Sequence, residues 1–314
     1  MIISLAEAEK IISAAENIII TAHENPDGDA IGSTLAMMHY LRSVGKKATV
    51  MIDDNIESNY NVVPGTAEIV RPDEKNTGAD LLLVLDTTTD RIGKVQDVCP
   101  GATVLNLDHH VSNDGKAEYT YVDSDRAAAA EIVFELLKMM KAEFSLEIST
   151  ALYTGLATDT GFFKYSNTTP YTMRAAAECI AGGARPNIIS EALEAKPFAV
   201  VKGMAAAMQT IEITAGGKIA GMYLDREIMS TISTTEGFID FVRIIDSVEV
   251  AVLIKNIDSQ ICRVSLRSKG FDVNKVAMSF GGGGHVRAAG CTLHCDLTEA
   301  KNKVLTELKK AMGE

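Results

Sequence analysis

Acids and histidines in this chain collect at the ends of apolar runs, where a fold can turn them toward one point. His23-Glu24-Asn25-Pro26-Asp27-Gly28-Asp29 follows Asn17-Ile18-Ile19-Ile20-Thr21. Asp86 closes Leu81-Leu82-Leu83-Val84-Leu85, and Asp108-His109-His110 closes Thr103-Val104-Leu105-Asn106-Leu107. Thr158-Asp159-Thr160-Gly161 follows Tyr153-Thr154-Gly155-Leu156-Ala157. A further cluster, Gly281-Gly282-Gly283-Gly284-His285, contains no acid. Buried acids and histidines are costly unless they are paired or bound to metal. Several of them at strand ends suggest a polynuclear metal site facing a phosphate.

The spacing suits two ions. His23, Asp27 and Asp29 fall in one turn-like loop, and Pro26 and Gly28 permit its tight path. One ion would be held by His23 and Asp27, the other by Asp29. Asp86, from an adjacent strand end, could bridge them, and His109 and Asp159 would complete the second. Two ions about 3.5–4 Å apart can bind an attacking hydroxide and polarise a phosphoryl oxygen. Mixed imidazole and carboxylate ligands favour manganese, with cobalt, iron or zinc as alternatives, over calcium. Each cluster alone has a plainer explanation. A lone Asp at a strand end is usually a cap or turn former, and the loop from His23 to Asp29 could simply be polar. Two histidines directly behind an acid rarely serve packing, and the ordered set makes the plain explanation poor. His39, inside a helical pattern, and His294 read as structural.

The elements that must position these residues form an α/β chain. Ile18–Ala22, Lys47–Ile52, Leu81–Asp86 and Thr103–Asp108 read as strands, and Ala30–Val44, Ala127–Lys141 and Leu146–Ala157 as helices. Continuous apolar runs suit parallel strands buried on both faces, so the N-terminal part reads as a doubly wound, mostly parallel sheet over residues 1–187. Ligands of such sheets bind beyond the carboxyl ends of the strands. Residues 188–212 read as a helical linker, with Pro197 starting a helix. Residues 213–314 read as a smaller α/β domain with a mixed sheet. Its strands are Ile219–Leu224, Val248–Lys255, Ile261–Ser268 and Cys291–His294, and its helices Asp272–Phe280 and Thr298–Ala311.

Composition narrows the classes. The 314 residues carry a formal net charge of −12, which disfavours binding long duplex nucleic acid through many phosphate contacts. Small anionic substrates remain compatible if metal ions and a few placed cations meet their phosphates. No apolar stretch reaches the ~18 residues of a membrane span, and the first helix pattern lacks a signal peptide's basic start, so the expected location is the cytoplasm. Five scattered cysteines argue against a disulfide framework. Cys291, His294 and Cys295 lack a second ligand pair and read as one alternating strand.

The motifs, in this order, resemble those of DHH-family phosphoesterases with a C-terminal DHH-associated domain, the superfamily of RecJ exonuclease and family II inorganic pyrophosphatase. The resemblance rests on His23 through Ser33, Leu85-Asp86-Thr87, Asp108-His109-His110, Thr158 through Gly161, and Gly281 through Gly290. The run from Thr158 to Pro170 is most similar to the NrnA-like branch of small bifunctional nano-RNases. By that resemblance, His23, Asp27 and Asp86 bind one manganese ion, and Asp29, Asp86, His109 and Asp159 the other. Asp108 orients a neighbouring ligand, and His110 lies near the scissile phosphate; with Asp86 they are the catalytic candidates. The implied activity is hydrolysis of RNA oligomers of a few nucleotides to mononucleotides, with removal of the 3′-phosphate of 3′-phosphoadenosine 5′-phosphate. The alternatives are a hydrolase of linear dinucleotides left by cyclic dinucleotide turnover (pApA or pGpG) and an inactive nucleotide-binding relative. The intact ligand set disfavours the latter.

The glycine run reads as a packed loop between a helix and Ala288-Ala289-Gly290. Glycines let backbone N–H groups approach an anion, so Gly283, Gly284, His285 and Arg287 are substrate-binding candidates. Arg267, by the resemblance, projects toward the same region, and Arg243 is a further cation. This domain is expected to hold one terminal phosphate while the metals cut the next ester, so that reach selects short substrates. Phe162, Phe163 and Tyr165 either stack on a base or pack between the domains. The expected partners are short RNA and small nucleotides, with no membrane; a homodimer is left open.

Overall fold

A computed structural model describes residues 1–73 and 75–313. The chain divides into two compact units, Met1–Ala195 and Lys196–Glu314.

In the first unit, β1 (Asn17–Thr21), β2 (Lys47–Val50), β3 (Leu81–Leu85), β4 (Thr103–Asp108) and β5 (Tyr119–Val122) form a parallel sheet in the order β2-β1-β3-β4-β5. Its helices are α1 (Leu5–Ala14), α2 (Gly28–Ser43), α3 (Ala129–Met139), α4 (Leu146–Asp159), α5 (Pro170–Ala181) and α6 (Pro186–Glu194). Alternate strand residues serve two cores. Ile18, Ile20, Leu81, Leu83, Leu105 and Leu107 pack under the helices. Ile19, Leu82 and Val84 pack on the other side against Ile92, Val95 and Val98, on and beside the 3₁₀ segment Gly93–Val98. Burial of both faces explains the unbroken apolar runs. The edge strand β5 and the helix α5, which Thr169 caps ahead of Pro170, lie outside the elements expected from sequence. Helix α2 begins two residues before the expected Ala30, because Asp27 Oδ1 accepts the N–H groups of Asp29 and Ala30 and caps it.

Two mid-helix glycines explain how α2, α3 and α4 fit together. Glycine within a helix costs about 1 kcal/mol relative to alanine. A Cβ on Gly32 would stand 2.4 Å from the Ala151 carbonyl oxygen, and one on Gly155 would stand 2.6 Å from Ala130 Cβ and 2.8 Å from Asp29 Oδ1. The missing side chains let α4 approach α2 and leave room for a buried carboxylate.

The second unit holds α7 (Phe198–Met208), β6 (Glu212–Thr214), β7 (Ile219–Leu224), α8 (Arg226–Thr231), α9 (Phe238–Arg243), β8 (Val250–Asp258), β9 (Ile261–Ser268), α10 (Val273–Ser279), β10 (Gly283–His285), β11 (Ala288–Leu293) and α11 (Leu297–Met312). Its sheet runs β10-β11-β9-β8-β7-β6, with only β7 and β8 parallel. One face packs under α10 and α11, and part of the other under α7 and α9. The break between units falls inside the stretch read as a linker: Ile189 and Leu193 of α6 join the first core, whereas Val200 and Ala207 of α7 join the second unit. The five cysteines are buried free thiols. On and just after β11, Cys291 and Cys295 point inward while His294 is exposed.

Gly155→Ala should lower stability by about 1–3 kcal/mol, the usual range for overpacking, read as a lower urea midpoint. An unchanged midpoint would show that α4 has room to spare.

Candidate metal centre

Parallel register brings the clusters to one edge. Thr21 pairs with Val84, and Leu85 with Leu107, so β1, β3 and β4 end side by side. Helix α4 supplies Asp159 as its last residue. Ligand atoms then fall into groups whose members lie within 4.8 Å of one another: His23, Asp27 and Asp86; Asp29, His109 and Asp159; and Asp86, His109 and His110. Asp86 faces two ways. Its Oδ2 is 3.6 Å from His23 Nε2, and its Oδ1 is 3.3 Å from His109 Nε2. His23 Nε2 is also 3.9 Å from Asp27 Oδ1, and His109 Nε2 is 3.6 Å from Asp159 Oδ2 and 3.9 Å from Asp29 Oδ2. All six residues expected to hold metal therefore meet at this edge: Asp86 belongs both to the group with His23 and Asp27 and to the group with His109 and His110, and His109 also belongs to the group with Asp29 and Asp159.

Three of these candidate ligands are held from behind. Glu24 carbonyl oxygen lies 2.8 Å from His23 Nδ1, and Arg126 carbonyl oxygen 3.3 Å from His109 Nδ1, which turns both Nε2 atoms to the centre. Asp29 Oδ2 and Oδ1 accept the N–H groups of Ala129 and Ala130 at 2.6 and 2.8 Å. These are orphan donors at the start of α3, whose own cap position, Ala128, has no side-chain acceptor. Asp86 has φ 60°, a left-handed conformation that a non-glycine residue holds only where its surroundings fix it.

Beyond Asp159 the chain turns through Gly161, Phe162 and Phe163 at φ 56°, 55° and 63°. Consecutive left-handed residues are unusual, costing about 1–2 kcal/mol each when they carry a Cβ. Phe163 N–H donates to Thr160 Oγ1 at 3.0 Å, and Asn167 Nδ2 donates to the carbonyls of both Asp159 and Ala127 at 3.1 Å. Phe162 and Phe163 pack on the first unit's own core, with Phe163 against Tyr153 at 5.8 Å. The Tyr165 ring occupies the space a Cβ on Gly161 would need.

Asp108, fully buried, anchors the histidine pair. Its Oδ1 accepts the N–H groups of His109 and His110 at 2.8 and 3.2 Å and lies 2.7 Å from His110 Nδ1. Its Oδ2 accepts from Asn113 Nδ2, which also donates to Asn106 Oδ1. Asn106 Nδ2 in turn donates to the Val84 and Thr87 carbonyls on either side of Asp86. Asn106, Asn113 and Asn167 were not singled out from sequence. The one available signal was an asparagine inside an apolar strand.

The electrostatics fit a cationic guest. Burial pushes Asp29 well above the carboxylate range, with Asp86 and Asp159 adding to it. Burial also lifts Asp159, to about 7, helped by Asp27 and Asp86 and opposed by His109. Burial disfavours imidazolium at His23 and His109, but the hydrogen bonds to Asp86 and the neighbouring acids outweigh it and hold them up at about 9 and about 11. Asp86 stays below the usual range: burial opposes ionisation, but hydrogen bonds from both histidines prevail. In the metal-free protein, protons on imidazole thus compensate the acids. A nitrogen and oxygen donor set around clustered carboxylates fits divalent ions of the manganese-to-zinc series.

Residues 17–156 match the DHH family, N-terminal domain, and residues 215–314 the DHHA1 domain. The chain is 31% identical to the bifunctional oligoribonuclease and PAP phosphatase NrnA of Thermus thermophilus, over 96% of this chain and 93% of that protein. The chain belongs to the DHH family. It is 25% identical to the Bacillus subtilis protein of the same name, over 98% of both chains. Among solved structures it superposes on an exopolyphosphatase-related protein from Bacteroides fragilis with a TM-score of 0.89 and 25% identity, over 98% of this chain and 95% of that one.

In this DHH-family chain the glycine candidates lie in the DHHA1 unit, on an edge hairpin. Gly283 and Gly284 sit in β10, paired with Gly290 and Ala289, and His285 sits opposite Ala288, itself opposite Arg267 on β9. The loop Val286-Arg287 is pinned by N–H groups of Val273 and Ser268 donating to its carbonyls. Gly284 has φ 145°, and a Cβ there would stand 2.4 Å from the Ala288 carbonyl oxygen. At Gly283 a Cβ would meet only Asn274 Oδ1, at 4.0 Å, so packing does not require glycine there. Arg287 is exposed. Arg243 ends α9, with Nε 3.3 Å from Asp240. Among the described residues, no helix is long and apolar enough to cross a membrane.

Because His23 and His109 hold protons at pH 7 without metal, ion binding must displace them. Titration with manganese in buffers of different ionisation enthalpy should show proton release and an affinity that rises with pH across 6–8. Binding without proton release would contradict the ligand role of these histidines.

Proposed function

We propose that this chain is a two-metal phosphoesterase of the cytoplasm that hydrolyses RNA oligomers of a few nucleotides to mononucleotides and removes the 3′-phosphate of 3′-phosphoadenosine 5′-phosphate. The observation that carries the reading is Asp86, shared between a group with His23 and Asp27 and a group with His109 and His110, with Asp29 and Asp159 gathered on the same His109. The names of the Thermus thermophilus and Bacillus subtilis relatives, which include both activities, support it.

His23, Asp27 and Asp86 would hold one manganese ion, and Asp29, Asp86, His109 and Asp159 the other. Such a pair supplies an activated water and neutralises charge on the phosphoryl oxygens. His110 completes the chemistry. Burial disfavours its charged form, but the hydrogen bond to Asp108 outweighs this and raises its pKa. Asp108 engages Nδ1, so Nε2 is the ring atom that carries a proton to the leaving oxygen as the P–O bond breaks. Asp86 and Asp108 act through the ions and through His110.

The unit Met1–Ala195 would be the catalytic domain and the unit Lys196–Glu314 the substrate-binding domain, the expected connection 188–212 being divided between them. Gly283, Gly284, His285 and Arg267 hold a terminal phosphate, with Arg287 and Arg243 adding charge. The acidic surface gives a long polyanion few further contacts.

Asp86→Ala should abolish hydrolysis of a 5′-phosphorylated dinucleotide and of the bisphosphate; unchanged turnover would refute the shared-ligand assignment. Gly283→Ala should raise KM severalfold for short RNA at unchanged thermal stability and manganese content. On a length series, the rate should fall steeply beyond a few nucleotides. Equal rates on a dinucleotide and a long RNA would sink the phosphate-grip role.

A further inference from the structure

One face of the second unit's sheet is only half covered. Ala220, Met222, Ala251 and Leu253 of β7 and β8 pack with Val200 of α7 and with Phe238 and Val242 of α9. Beyond them, antiparallel register places Lys255, Arg263 and Thr292 in one row across β8, β9 and β11, and Leu253, Ser265 and Gly290 in the next. An open groove of about 590 Å³ lies there, lined among others by Lys255, Arg263, Ser265, Phe280, Gly282 and His294. That volume falls within the roughly 300–1,000 Å³ of small-ligand sites.

The charge in the groove is unusual for this chain. Acids outnumber Lys and Arg by 42 to 30, yet two cations stand side by side here. Lys255 Nζ is 3.2 Å from Thr235 Oγ1, and among the described residues no carboxylate pairs with Lys255 or Arg263. Burial, with Arg263 adding to it, pushes the Lys255 ammonium below its ordinary pKa. An anion between the two would relieve both effects. The floor is low, because Gly290 and Gly282 offer no side chain and Ser265 a short one. Phe280 supplies an aromatic surface of the kind that stacks on bases.

We infer that this groove is a second nucleotide subsite of the DHHA1 unit, in which Lys255, Arg263 and His294 take an internal phosphate of an oligonucleotide and Phe280 meets a base. The inference rests on the oligonucleotide reading. It deepens that reading by separating two phosphate sites on one face. Arg263 precedes Arg267 by four residues on β9, about 13 Å along the strand, too far for the two phosphates of one nucleotide. An oligonucleotide reaches both sites, and 3′-phosphoadenosine 5′-phosphate reaches one.

The test uses the full chain with metal removed by chelation, so that no substrate is consumed. A 5′-phosphorylated trinucleotide and the bisphosphate are titrated against wild type, Arg263→Gln, Arg263→Lys and the Lys255→Gln/Arg263→Gln pair over a range of salt. Losing a phosphate contact should weaken trinucleotide binding about tenfold. It should also flatten the slope of log affinity against log salt by about 0.7 per contact. Arg263→Lys should retain most of the affinity, and bisphosphate binding should not change. Wild-type trinucleotide affinity and salt slope in the double variant would overturn the subsite and leave the oligonucleotide reading standing. Binding of the bisphosphate but not the trinucleotide by wild type would overturn that reading itself.

Discussion

The carboxylate of Asp86 is engaged from both sides, by His23 on one oxygen and His109 on the other, and the architecture of the first unit depends on keeping it there. Asp27, Asp29 and Asp159 stand around the same point. Two like charges 4 Å apart repel by about 4 kcal/mol at an effective dielectric constant near 20. Several such pairs would consume the whole ~5–15 kcal/mol stability of an ordinary domain. The cluster therefore cannot remain ionised without positive charge at its centre. Imidazolium protons give that charge in the metal-free protein, and a pair of divalent ions would give it more completely.

The same requirement explains features that look structural. Asp29 serves the centre with a carboxylate whose oxygens also cap α3, so the positive end of that helix shares in the compensation. Gly155 leaves the space in which Asp29 fits. Asn167 ties the carbonyl of Asp159 to that of Ala127, joining the end of α4 to the approach to α3. Asn113 and Asn106 link Asp108 to the backbone flanking Asp86. Each of these holds a candidate ligand, or the backbone beside one, in place.

Much of this was legible in the sequence because the strands are parallel and doubly buried. An apolar run that stops at an acid marks a strand end, and register aligns those ends. The six ligand candidates meet for that reason. What stayed hidden was long-range. Asp29 meets Ala129 across 100 positions, and no local pattern announces that α3 is capped by another helix. The edge strand Tyr119–Val122 is short and half-buried, so it lacks the apolar run that marks its neighbours. The glycine run reads locally as a loop; only its pairing with β11 makes it a strand. His294 read as structural, yet β11 ends by directing it outward onto an open, basic groove, a placement set by strand alternation across partners far apart in sequence.

In the proposed centre the one carboxylate of Asp86 serves two metal positions. Anomalous diffraction from crystals of the manganese-loaded protein tests it most directly. Two peaks per chain are expected, one beside His23 and Asp27 and one beside Asp29, His109 and Asp159, with Asp86 coordinating both. A single peak, or two peaks of which only one contacts Asp86, would contradict it.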